Sequence, residues 1–227
     1  MGARAGFEVI FFDCDSTLST IEGIDALAAR AGREHEISAL THAAMDGEQP
    51  LESIYGRRLE TLRPDRQAIA WLGNQYVAAR VPGARAVVAA LISLGKEVHI
   101  VSGGIRQALV PLAAVFSIPL ERLHAVEVFH DASGNYTGYD ASSPLTRSGG
   151  KGAVCHGLAK DRRAAIVGDG ITDLDPAAYG IFTVGFGGVV RREGVERRAD
   201  AYVADRALTG VLEFLLTREE FRQLPTA

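Results

Sequence analysis

Asp13 and Asp15, two acids one residue apart, close a run of six residues (FEVIFF, 7–12) in which only Glu8 is polar. Carboxylates that close repel each other, and the compensation is a metal cation or a proton held by one of the pair. Alone, an Asp-x-Asp is most simply a solvated turn. Three further clusters argue for chemistry: Ser102-Gly103-Gly104 after VHIV, Lys151 after Gly149-Gly150, and Asp169 with Asp173 in GDGITDLD after AAIV. Glycines let backbone amides approach an anion, and a following helix start favours negative charge. A lysine at a helix start stands at the wrong end of the dipole, which suggests a ligand anion holding it there, although a surface lysine is otherwise the commoner outcome. Acids beside glycines at a strand end suit a hard cation, or act as a helix cap. The set amounts to a pocket for Mg²⁺ and a phosphate, with oxygen ligands for the metal. A hydroxyl, amides and an ammonium would face the phosphate oxygens.

Short apolar strands must bring these groups together. Residues 7–12 are too few for an ordinary helix and read as a buried strand of a mostly parallel sheet. Side chains two apart on an extended backbone face the same way. The strand therefore carries Asp13 and Asp15 to the carboxyl edge of the sheet, where open α/β folds build their sites. From Val81 the pattern predicts a helix over 84–94 closed by Gly95, and a strand over 97–101 running into Ser102. A helix over 105–115, a short strand near 124–129, a hairpin at 132–135 and a helix over 151–160 follow. Strands over 164–167, 181–185 and 201–203 precede a C-terminal helix around 208–217. Such alternation predicts a right-handed parallel sheet. Residues 20–80 differ: their helical periodicity, broken at Gly32, 47–50 and Pro64, predicts about four helices and no strand. The expected fold is α/β, a three-layer Rossmann-like core (1–18 and 81–227) with a four-helix cap (19–80) inserted after the first strand, where it covers the acids.

Composition limits the function classes. The 227 residues, 47% hydrophobic and 23% charged, fit an ordinary globular protein with one inserted α/β domain or two small domains. A net charge of −4 gives no electrostatic case for nucleic acid or an anionic membrane surface. The basic cluster Arg191, Arg192, Arg197 and Arg198 is interrupted by Glu193 and Glu196 and reads as a solvated helix face. No apolar run approaches the ~20 residues of a membrane span, and residues 1–9 lack a signal-peptide core. Cys14 and Cys155 make no disulfide framework, so a reducing cytoplasm is expected. Cys14 projects away from its acidic neighbours on an extended chain and is read as packing.

In order, these clusters resemble the four motifs of the haloacid dehalogenase superfamily of phosphotransferases: DCDST (13–17), Ser102-Gly103-Gly104, Lys151 and GDGITD (168–173). Within it the chain is similar to the phosphoserine phosphatase family over nearly its whole length, including STIEGIDALA (19–28), AMDGEQPLESIYGRRLETL (44–62) and GFGGVVRREGV (185–195). The resemblance implies Mg²⁺-dependent hydrolysis of O-phospho-L-serine to L-serine through an aspartyl-phosphate, the last step of serine biosynthesis. It implies that Asp13 is the nucleophile and that Asp15 protonates the leaving oxygen, later deprotonates water, and lends its backbone carbonyl to the metal. Asp13 and Asp169 would bind the metal by their side chains, with Asp173 supporting that shell. Ser102, Lys151 and the Gly103 amide, beside Gly104, would hold the phosphoryl oxygens. Thr172, where many relatives have Asn, would touch substrate or phosphate. The partner implied is a small phosphorylated metabolite, the assembly a monomer or homodimer.

Phosphoserine also presents an ammonium and a carboxylate. Arg58 falls four residues after Ile54 and seven after Leu51, inside the apolar stripe of PLESIYGRRLETL, whereas Arg57 lies at its margin. A charge on a buried face usually has a partner. The resemblance assigns Glu22 to the amino group and Arg58 to the carboxylate, a pairing suited to guanidinium, with Met45 lining the pocket. An ion pair between Glu22 and Arg58 is the alternative. Relatives commonly have Gly at position 46 and Phe at position 51, here Asp46 and Leu51, which leaves another small phosphate monoester open as substrate. A phospho-accepting receiver module shares the acids, hydroxyl and lysine, but its acceptor aspartate lies on a later strand and it has no helical insert. No GxGxxG follows a strand, which removes a dinucleotide site.

Overall fold

The computed structural model describes residues 6–45 and 51–224. Along the chain, β1 (Val9–Phe12) is followed by α1 (Gly23–Ala31), α2 (Glu34–Met45), α3 (Leu51–Leu62), α4 (Arg66–Ala78) and α5 (Ala84–Ser93). Next come β2 (Glu97–Ile105), α6 (Arg106–Val115), β3 (Leu123–Val126), β4 (Val128–His130), β5 (Tyr136–Tyr139) and α7 (Gly150–Ala159). After β6 (Ala164–Gly168), a 3₁₀ stretch over 171–179 leads to β7 (Phe182–Phe186), α8 (Glu193–Arg198), β8 (Ala201–Val203) and α9 (Leu212–Leu215).

Four consecutive apolar residues on an extended chain need cover on both faces, and every side chain of β1 is fully buried. Burying such side chains contributes roughly 1.5–3 kcal/mol each, so β1 is held at the centre. The main sheet is parallel throughout, in the order β3-β2-β1-β6-β7-β8. The chain travels outward from β1 to β3, then returns to β6 on the other side. That reversal opens a crevice at the carboxyl ends of β1 and β6.

The four helices α1–α4 leave and re-enter at one place. Ser19 and Arg80 form an antiparallel bridge, the Thr20 amide donates to Ala79 O at 2.7 Å, and the Val81 amide donates to Leu18 O at 3.0 Å. Gly32 closes α1 in the left-handed conformation (φ 68°). Helix α4 lies along α6, its most extensive neighbour. Asp46 falls outside the described residues, as do the side chains of Met45 and Leu51. Among the described residues no helix is long and apolar enough to cross a membrane.

Three expectations change in detail. The strand expected near 124–129 is two strands: β3 joins the main sheet, while β4 pairs antiparallel with β5 around the expected hairpin. Among the described residues no strand pairs with the outer edge of β3, and the chain leaves the sheet at Glu127. Strand β2 continues through Ser102-Gly103-Gly104 to Ile105 rather than ending at Val101. Its register with β3 slips there, Val101 facing His124 and Ile105 facing Val126, so the glycine stretch bulges out of that ladder. The helix expected over 208–217 is a 3₁₀ turn (208–211) and the single turn α9; Gly210 inside the segment weakens an α-helix.

Candidate active site

Strand β1 ends one residue before the acids. The Asp13 amide donates to Val167 O of β6 at 2.9 Å, which sets Asp13 beside the strand end that carries Asp169. The chain then coils on itself: the Thr17, Leu18 and Ser19 amides all donate to Cys14 O, and Ser16 is left-handed (φ 50°). Asp13 and Asp15 line one cavity together with Ser102, Gly103, Gly104, Lys151 and Thr172. The Ser102 hydroxyl accepts from the Gly104 amide at 3.0 Å. Cys14 is fully buried, and burial together with the flanking acids pushes its thiol up. It packs.

Lys151, the second residue of α7, is buried with its ammonium 3.1 Å from Asp13 Oδ1 and 2.6 Å from Asp173 Oδ1. Burial works against the charge, yet the two carboxylates outweigh it and hold the lysine above its ordinary pKa. The anions beside this helix-start lysine are two carboxylates of the protein itself, where the sequence points to a ligand anion. Asp173 reaches it by folding back over the end of β6: a Cβ on Gly168 would lie 2.1 Å from Asp173 Cγ. The Gly170 amide holds the other Asp173 oxygen at 2.9 Å. Asp169 Oδ2 accepts from Arg192 Nε at 3.1 Å, and its Oδ1 accepts from Thr17 Oγ1 at 3.5 Å.

Asp13, Asp15, Glu22, Asp169 and Asp173 thus crowd around Lys151 and Arg192. Burial and then the charge of Glu22 push Asp15 and Asp169 well above the carboxylate range. Burial and Asp13 push Asp173 up to about 7 against the pull of Lys151. Asp13, Asp169 and Asp173 each offer one oxygen, all within 4.8 Å of one another and all buried. An all-oxygen set of three carboxyl groups, shared between only two cations, Lys151 and Arg192, fits a hard divalent cation.

The helical insert closes the other side of the cavity. Glu22, just before α1, accepts from Ser16 Oγ at 2.8 Å and lies 3.8 Å from an Arg192 nitrogen; burial raises its pKa. Arg58 on α3 is buried over the Tyr55 ring at 5.6 Å, while Arg57 is exposed. The Tyr55 hydroxyl donates to Gly103 O at 2.8 Å, joining α3 to the end of β2. Glu22 and Arg58 both line the cavity that holds the acids.

The haloacid dehalogenase-like hydrolase family model matches residues 10–178, a span containing every acid of the cluster together with Ser102 and Lys151. The chain belongs to this family. Within it, phosphoserine phosphatase of Bos taurus is 33% identical over 210 residues, covering 91% of this chain and 93% of that protein, so the chain is a member of the phosphoserine phosphatase family. A phosphoserine phosphohydrolase-like protein from Francisella tularensis subsp. tularensis SCHU S4 superposes with a TM-score of 0.80 at 25% identity, covering 90% of this chain and 99% of that one. A phospho-aspartyl intermediate analogue of phosphoserine phosphatase has the same fold, with a TM-score of 0.77, 24% identity, and 93% and 100% coverage.

This haloacid dehalogenase-like hydrolase corrects one sequence expectation. Arg191 pairs with Glu196, and Arg197 with Glu193, at the surface, but Arg192 turns inward to Asp169. The backbone is extended at Arg192 (φ −117°, ψ 111°), so neighbouring side chains take opposite sides; the cluster is not one solvated helix face. Two polar residues of the cavity wall, Tyr76 and Arg147, also escaped sequence reasoning. Tyr76 follows Ile69 and Leu72 on the buried stripe of α4 and carries no pattern distinguishing it from core. Arg147 precedes Ser148-Gly149-Gly150, and only its place in the cavity wall marks it.

Proposed function

We propose that this haloacid dehalogenase-like hydrolase removes phosphate from O-phospho-L-serine, with residues 19–80 acting as a cap over a core of 1–18 and 81–227. One observation carries the reading: a single cavity is lined by Asp13, Asp15, Ser102 and Lys151 from the sheet side and by Glu22 and Arg58 from the helical insert. The first four suit a phosphoryl group, and the last two suit the ammonium and carboxylate of an amino acid.

Asp13 attacks phosphorus, the bond to the serine oxygen breaks, and its electron pair leaves on that oxygen, which takes a proton from Asp15. Burial and Glu22 favour the protonated form of Asp15, as a general acid requires. In the second half Asp15 takes a proton from water, the water oxygen attacks phosphorus, and the bond to Asp13 breaks to free phosphate. Lys151, the Ser102 hydroxyl and the Gly103 amide hold the phosphoryl oxygens, and Thr172 lies against phosphate or substrate. Asp13, Asp169, Asp173 and the Asp15 carbonyl would hold a Mg²⁺ ion, which when bound supplies positive charge against the phosphoryl oxygens.

The test is phosphate release from L-phosphoserine, glycerol phosphates and sugar phosphates, with and without Mg²⁺. Phosphoserine should give the highest kcat/KM, about tenfold or more above the others, and only with the metal. Comparable values across the three classes would refute the substrate.

A further inference from the structure

We propose that Tyr76 is a positioning residue for the Asp15 carboxyl group, holding it from the helical insert in the orientation that delivers a proton to the leaving oxygen. The inference rests on reading the site as a phosphomonoesterase and adds to it a residue from a different element.

Tyr76 lies near the end of α4, fully buried, 61 residues from Asp15. Its hydroxyl donates to Asp15 Oδ1 at 2.6 Å, at the short end of the range for a bond between two oxygens. The Gly23 amide, at the start of α1, donates to the other oxygen, Oδ2, at 3.2 Å. Two donors on two oxygens from two helices fix the plane of the carboxyl group, which would otherwise turn about its Cβ–Cγ bond. Space for the phenol is provided by Gly23, where a Cβ would lie 1.9 Å from the Tyr76 hydroxyl. The backbone that carries the phenol is held in place, since α4 lies along α6 and the Ser19 hydroxyl lies 3.1 Å from Ala79 O and 3.4 Å from Tyr76 O.

A buried phenol needs a hydrogen-bond partner, so a purely structural tyrosine would also bond here. The two roles differ in what the chemistry feels. While Asp13 forms its bond to phosphorus and the ester bond breaks, a poor leaving group needs the Asp15 proton on its departing oxygen and a good one does not. A misaimed acid therefore penalises poor leaving groups selectively.

The experiment compares Tyr76→Phe with the parent protein on phenyl phosphate, p-nitrophenyl phosphate and L-phosphoserine, loaded with Mg²⁺. The expected result is a shift of about 10- to 100-fold in the ratio of kcat/KM values, against phenyl phosphate and phosphoserine and in favour of p-nitrophenyl phosphate. The ratio is taken within one preparation, so a reduced folded fraction cancels. An unchanged ratio, whether activity is kept or lost equally, overturns the role. If the parent protein turns over the aryl esters but not phosphoserine, the substrate reading fails while the aryl pair still decides Tyr76. A parent protein inactive on all three overturns the phosphatase reading and this role with it.

Discussion

Arg192 Nε donates to Asp169 Oδ2 across 3.1 Å inside the acid cluster, with the two side chains only 8% and 0% exposed. This fixed cation bonds Asp169 and lies 3.8 Å from Glu22, and together with Lys151 it is outnumbered by the five acids of the cluster. Adding Mg²⁺ to chelated protein should therefore raise the Tm, because a ligand that binds only the folded state stabilises it by about 2.7 kcal/mol at a hundred times its Kd. Turnover should disappear with the chelator and return with the metal. Asp169→Asn should remove the Mg²⁺-dependent rise. A melting temperature indifferent to Mg²⁺ would argue against a metal among these acids.

Asp13→Asn keeps side-chain volume and removes the attacking oxyanion. Phosphate release should fall below detection while far-ultraviolet circular dichroism stays unchanged, because Lys151 retains Asp173 at 2.6 Å. Residual activity above about 1% of the parent would mean that another group attacks phosphorus.

Arg58→Ala should reduce kcat/KM on phosphoserine by roughly 100-fold, chiefly through KM, since removing one partner of a buried charge pair costs about 2–5 kcal/mol. On p-nitrophenyl phosphate, which has no carboxylate, the change should be only a few-fold. Equal losses on the two esters would refute the carboxylate role.

A second charged network lies where β2 and β3 run side by side. His99 Nδ1 and His124 Nε2 are 3.0 Å apart, His99 Nε2 meets Glu97 at 2.8 Å, and Arg162 grips Glu97 at 2.9 and 3.0 Å. Burial first, then His99 and Arg106, lowers the His124 pKa from 6.5 to about 4. A lowered histidine pKa means that the unfolded chain takes up a proton which the folded chain refuses. Stability from this group is whole above pH 6.5 and is lost as pH falls toward 4. Thermal melts across that interval should show a falling Tm, and His124→Gln should flatten the slope. An identical slope in the variant would remove His124 as the cause.

Local pattern made the α/β class readable from the sequence. Strands such as Val9–Phe12 and Ala164–Gly168 are apolar throughout because both faces are covered, and each is followed by an acid at the carboxyl edge of the sheet, where open α/β folds build their sites. Arg58 was legible for a related reason: a charge within an apolar stripe contradicts its helix. Periodicity reports which way a side chain faces within its own element, and nothing about the neighbouring element. That is why the 3.1 Å approach of Lys151 to Asp13, the inward turn of Arg192 and the bond from Tyr76 to Asp15 were decided only by tertiary structure. Each depends on how distant segments pack: α7 against β2 and the 171–179 stretch, the extended segment before α8 against Asp169, and α4 against α6.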